Sequence, residues 1–87
     1  MSREEIRRQV LAALAEVAPE VDPAMLVEDR PLRAQVDIDS YDILRFLVKL
    51  HERLGVDIPE RDYGAIDTPA RLVDYLVERT PRSGGAG

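Results

Sequence analysis

The sequence predicts an all-α domain, a four-helix bundle with a long first loop and a short third helix. Three observations predict it. Apolar residues recur at three- and four-residue steps in three separate segments. No segment alternates apolar and polar residues as a half-buried strand does. Proline, glycine and small polar residues stand where those segments begin and end. A chain of 87 residues has room for one core, not two.

Residues 3–17 set Ile6, Val10, Ala13, Leu14 and Val17 on one helical face, with Arg3, Glu4, Arg7, Arg8 and Glu16 around the rest. Pro19 stops that helix. Residues 18–39 then form a long connection with three prolines, Pro19, Pro23 and Pro31. Its six carboxylates (Glu20, Asp22, Glu28, Asp29, Asp37, Asp39) face only Arg30 and Arg33, a local net of −4. Structureless loops of this length are uncommon in compact domains. Val21, Met25, Leu26, Val27, Leu32, Val36 and Ile38 are therefore expected to pin it across the bundle. A short turn over 23–26 is predicted, with Asp22 as N-cap and Pro23 at the first helical position.

Residues 40–54 give the clearest helix. Ile43, Phe46, Leu47, Leu50 and Leu54 repeat on one face, and Leu44 and Val48 are read as widening it. Ser40 is read as its N-cap, Asp42 complements the first turn, and Gly55 lies just past the end. Val56, Ile58 and Pro59 form an extended link, and residues 60–63 a single turn ending near Gly64. Thr68 caps the last helix and Pro69 opens it; Leu72, Val73, Leu76 and Val77 supply its apolar face, and Thr80-Pro81 closes it. The domain is thus expected to span residues 1–80, with 81–87 a flexible Gly- and Ser-rich tail.

Composition narrows function by exclusion. Without cysteine, disulfides, thiolate metal sites and cysteine nucleophiles are ruled out. The one histidine, His51, makes no metal cluster, and it lies about three helical turns beyond Ser40, too far to act as its base. Asp37 and Asp39 are too few oxygen ligands for Mg²⁺, so no metal site is expected. A net charge of −5 disfavours nucleic acid and anionic membranes as partners. No apolar run is long enough to span a bilayer, and the opening Met-Ser-Arg-Glu-Glu is charged, unlike a signal peptide, so a cytoplasmic monomer is expected. A carrier or binding module fits this composition better than an enzyme does.

Ser40 sits where the acidic connection meets the best helix, within Asp37-Ile38-Asp39-Ser40-Tyr41-Asp42. A serine in that place can be a cap and nothing more, worth about 1 kcal/mol. The wider pattern says more. Asp39-Ser40 opens the helix; Leu50-His51-Glu52-Arg53-Leu54 ends it; Gly55-Val56-Asp57-Ile58-Pro59-Glu60 follows; Thr68-Pro69 then leads into Leu72-Val73-Asp74-Tyr75-Leu76. Over residues 3–80 the chain resembles the acyl carrier protein family.

That resemblance implies a bundle of acyl-carrier type whose matching serine, Ser40, is esterified by 4′-phosphopantetheine taken from coenzyme A. It implies a carrier of acyl thioesters for fatty-acid, polyketide or other specialised acyl metabolism. Its expected partners are a phosphopantetheinyl transferase and the enzymes that load and process the acyl group. A phosphodiester on Ser40 would lie at the anion-favouring start of a helix. Asp39 belongs to the family motif and is expected to be read by the transferase. Asp42 has two readings, partner recognition and a local role with the helix dipole and Arg45.

The chain also departs from the family. Tyr41 stands where leucine is common and is expected to offer partners an aromatic contact. Residues 40–54 carry a net +1, with Arg45 and Lys49 spaced to share a face, whereas family members that serve fatty-acid synthesis are usually acidic there. Rim charges steer association and reject wrong partners, so a dedicated set of enzymes is expected. A peptidyl or aminoacyl carrier is the near alternative, but Val36, Asp37 and Ile38 replace the glycines usual before its serine. An unmodified helical adaptor, with Ser40 only a cap, is the alternative from another class.

Overall fold

The computed structural model describes residues 2–80, so the predicted tail 81–87 lies outside the described residues. Helix α1 (Arg3–Val17) begins where the Ser2 hydroxyl accepts the Glu5 amide at 3.1 Å. A 3-10 turn (Pro23–Met25) follows, with Asp22 as its cap as the sequence predicts. Next come helix α2 (Leu32–Gln35), helix α3 (Ser40–Leu54), a 3-10 helix (Glu60–Ile66) and helix α4 (Pro69–Arg79). Thr68 caps α4 by accepting the Arg71 amide at 3.1 Å, and Pro69 opens it. Gly55 ends α3 at φ 70°, a left-handed conformation that glycine adopts without a Cβ penalty.

The core is aliphatic. Ile6, Leu50, Val73 and Leu76 are fully buried, and Phe46 is the aromatic ring that joins them. α1 packs along α3 and α4, and the 3-10 helix lies against α4. Leu44 and Val48 widen the apolar stripe of the sequence but do not join the buried face. They are 49% and 54% exposed, because positions 43, 46, 47, 50 and 54 already fill the side of α3 that meets the other helices.

Leu32, Val36 and Ile38 of the long connection are buried, and Val21 and Leu26 pack against the core. Met25 and Val27, also expected to pin it, face outward because the 3-10 turn and the Val27 backbone lie at the surface. Polar side chains reach across the connection as well. The Arg7 guanidinium grips both oxygens of Glu28, at 3.2 and 2.9 Å. The Gln35 amide closes a loop on the backbone: its oxygen accepts the Val27 amide at 2.7 Å, and its nitrogen donates to the carbonyls of Val27 (2.8 Å) and Arg30 (2.9 Å). The amide of Ala70 donates to Glu28, and that of Leu32 to Asp67, tying the connection to the start of α4. Two boundaries differ from expectation. The turn at 60 runs on to Ile66 because that residue is buried, and α2 is an added helical turn within the connection.

Candidate functional site

At the corner before α3, Asp39 and not Ser40 is the N-cap. Asp39 keeps an extended backbone (φ −100°, ψ −176°), and its carboxylate accepts the Asp42 amide at 2.9 Å. The Asp39 amide donates in return to the Asp42 carboxylate at 3.4 Å, completing a capping box. Only one residue can make the extended step into a helix, and here the carboxylate takes that place. Ser40 becomes the first helical residue. It is exposed, and among the described residues its hydroxyl makes no hydrogen bond. First-turn amides lack intrahelical acceptors, so this corner favours a negative charge.

Ser40 also stands at the rim of an apolar cavity of about 520 Å³. The cavity runs inward between α1, α3 and the 3-10 helix, over Leu14, Phe46, Leu47, Tyr63 and Leu72. Polar groups at Arg33, Glu60 and Asp67 complete its lining. The volume is in the range of small-molecule sites.

Tyr41, at 69% exposure, points away from the core beside Ser40. The Arg45 guanidinium lies 6.0 Å from the centroid of that ring and 3.6 Å from Asp42. The structure thus gathers Asp39, Ser40, Tyr41, Asp42 and Arg45 at one end of α3. Lys49 is two turns further on and is drawn toward α1, 3.7 Å from Glu16 and 3.9 Å from Glu52. Glu16 receives Arg53 as well, at 2.8 Å, and that hydrogen bond, more than the charge of Lys49, holds its carboxyl below the ordinary value. The sequence reading did not single out Leu44 and Val48 as surface residues. With Tyr41 they make an exposed apolar stripe at the i, i+3, i+7 spacing, and the signal was an apolar pattern too wide for one buried face. His51 holds the end of α3, its Nδ1 3.1 Å from the Val56 carbonyl. Among the described residues no group of three or more acidic or histidine side chains is placed to hold a metal ion, and no helix is long and apolar enough to cross a membrane.

Comparison with known proteins places this corner in context. The family model described as "Phosphopantetheine attachment site" matches residues 8–76. The chain is 31% identical over 78 residues to the acyl carrier protein of Rubrobacter xylanophilus, covering 90% of this chain and 95% of that protein. It is 28% identical over 86 residues to the meromycolate extension acyl carrier protein of Mycolicibacterium aurum, covering 92% and 89%. A solved structure of the Enterococcus faecalis acyl carrier protein superimposes with a TM-score of 0.76 at 22% identity, over 92% of this chain and all of that one. The residues present fit such an arm: an exposed, unengaged hydroxyl, an anion-favouring helix start, and an apolar cavity opening beside them.

Proposed function

The chain belongs to the acyl carrier protein family, and from that premise we propose that Ser40 is the residue that bears its 4′-phosphopantetheine arm. The observation that carries the reading is the free Ser40 hydroxyl at a helix start already capped by Asp39. When bound, the arm supplies a terminal thiol on which acyl groups are held as thioesters.

What this chain's own residues do is limited and definite. Ser40 offers an oxygen nucleophile at an exposed corner, and the transferase supplies the base, since the flanking Asp39 and Asp42 carboxylates are engaged with backbone amides. The first-turn amides of α3 balance the phosphodiester's charge. Asp39 and Asp42 carry like charge to the phosphate, so they direct the arm away from themselves and remain for basic groups on the transferase. The apolar cavity beside Ser40 shelters an aliphatic cargo from water. Chemistry on the cargo belongs to the loading and processing enzymes, and this chain is not itself an enzyme.

Partners approach over Tyr41, Leu44 and Val48, with Arg45 at the edge; Lys49, held by Glu16, contributes at the periphery. This apolar, mildly basic face differs from an acidic one, which supports a dedicated set of enzymes in specialised acyl metabolism, working with a cytoplasmic, monomeric carrier. The relatives' names and the absence of glycines at positions 36–38 support an acyl over a peptidyl cargo.

The test is to incubate the protein with coenzyme A, Mg²⁺ and a broad-specificity phosphopantetheinyl transferase and weigh it intact beside Ser40→Ala. One added phosphopantetheinyl group, absent in the variant, is expected. No gain with several transferases would favour an unmodified adaptor, and gain in the variant would move the attachment elsewhere.

A further inference from the structure

The wall of the cavity opposite α3 is built differently from the rest. In a 3-10 helix side chains three residues apart eclipse one another. Glu60, Tyr63 and Ile66 accordingly fall on one line, and all three face the cavity. Asp62 lies off that line and turns to α4. There its carboxylate accepts the Tyr75 hydroxyl at 2.6 Å and stands 3.7 Å from the Arg79 guanidinium. Arg79 in turn lies 4.1 Å from the centroid of the Tyr75 ring, so cation, ring and carboxylate form a closed triangle.

Apart from the burial of Ile66 and the packing of Tyr63 against the core, little else fastens this wall. The 3-10 helix has no side-chain cap, and its hydrogen-bond geometry is inherently poorer than that of an α-helix. Among the described residues, Asp62 is the side chain through which it makes polar contact with another element. Burial and the bond to Asp62 both push the Tyr75 phenol up, so it stays a protonated donor throughout the neutral range.

We propose that Tyr75 and Arg79 determine which acyl chains this carrier shelters: by holding Asp62 they fix the 3-10 wall and so limit the length of aliphatic chain the cavity admits. The inference rests on the reading that the cavity shelters the cargo. Tyr75 and Arg79 touch no cargo; they act through the wall and are positioning residues. A long chain needs the wall to swing outward, and the latch opposes that motion, whereas a short chain fits within the existing space.

Tyr75→Phe removes the hydroxyl and keeps the ring, its packing and its contact with Arg79. Three readouts are compared with the parent chain. The first is amide hydrogen exchange at residues 60–66 in the unmodified chain. The second is uptake of cis-parinaric acid, a fluorescent fatty acid, by the same unmodified chain. The third is thioester lifetime in water for hexanoyl and tetradecanoyl forms whose loading has been verified by intact mass. Exchange at 60–66 is expected to rise about tenfold or more, as for loss of a hydrogen bond to a charged group, while exchange within α1 and α3 stays unchanged. Parinaric acid uptake is expected to increase, and the tetradecanoyl lifetime to lengthen relative to the hexanoyl one. Unchanged exchange at 60–66, or a uniform rise through every helix, would overturn the latch. A local rise with unchanged probe uptake and an unchanged ratio of lifetimes would overturn its control of cargo. Failure to load at Ser40 strikes the attachment reading instead, and exchange and probe uptake then decide this one.

Discussion

Glu28 and Arg7, 21 residues apart, meet as a parallel pair in which Nε and Nη2 of the arginine each donate to one carboxylate oxygen. This pair fastens the middle of the long connection to α1, at the level where Ala70 of α4 also donates to the Glu28 carbonyl. One residue therefore joins three elements, by its side chain on one hand and its backbone on the other.

The pair carries a pH dependence of fixed sign. The hydrogen bond from Arg7 holds the Glu28 carboxyl below its ordinary value, and the carboxylate in turn raises Arg7. Because the folded value is depressed, the stabilisation is complete above the unfolded glutamate pKa of about 4.3 and is lost as pH falls through the folded value. Glu28→Gln should cost about 0.5–1 kcal/mol at neutral pH, given the pair's partial exposure. It should also flatten the acid side of the stability profile, as read by urea denaturation from pH 7 downward.

Ser40 and Asp39 should separate cleanly in stability measurements. Asp39→Ala removes the cap and should cost about 1 kcal/mol, whereas Ser40→Ala should stay within about 0.5 kcal/mol of the parent chain. Thermal unfolding of the unmodified proteins distinguishes this from a Ser40 cap, which would reverse the order.

Gln35→Ala should loosen the connection without touching the core. Three hydrogen bonds to backbone groups disappear together, at a cost of about 1–2 kcal/mol for partly solvated partners. Amide exchange at Val27 should accelerate while that of Leu50 follows only the change in global stability.

On α3, two neighbouring leucine positions should behave oppositely. Leu47→Ala opens the core and should cost about 2–5 kcal/mol; Leu44→Ala, on the exposed stripe, should change stability by no more than about 0.5 kcal/mol. The effect of Leu44→Ala should appear instead as a raised KM for the enzymes that process the loaded carrier.

Gly55→Ala tests the end of α3. Nothing lies within 4 Å of the added Cβ, so the whole cost is backbone conformation at φ 70°, about 1–2 kcal/mol. Gly55→Asn should lose less, since asparagine tolerates that region, and chemical denaturation of the pair reads the difference.

What could be read from the sequence was what repeats or punctuates. α1, α3 and α4 follow from spacing, and Pro69, Thr68 and Gly55 mark their ends in single residues. α2 escaped because four residues after Pro31 are too short to show a period. Leu44 and Val48 read only as widening the apolar stripe, because a stripe shows width and not which edge is covered; only the placement of α1 and α4 decides that. Two adjacent residues that both cap well, Asp39 and Ser40, differ in role through backbone angles that composition does not encode. The bonds of Glu28 to Arg7 and of Asp62 to Tyr75 join distant positions, and no local pattern announces them.

The capping box before α3 bears on how one sequence would serve two covalent states, with and without the arm proposed at Ser40. The oxygen that anchors this helix and the Ser40 oxygen proposed for attachment sit on adjacent side chains, so esterifying Ser40 would leave the hydrogen bond of Asp39 in place. Were a single serine to do both, each addition or removal of an arm would remake the start of the helix and carry a folding cost into every cycle of maturation. On the proposed attachment, a transferase would meet a corner already in its final shape, and the modified chain would present its partners with the same scaffold as its precursor.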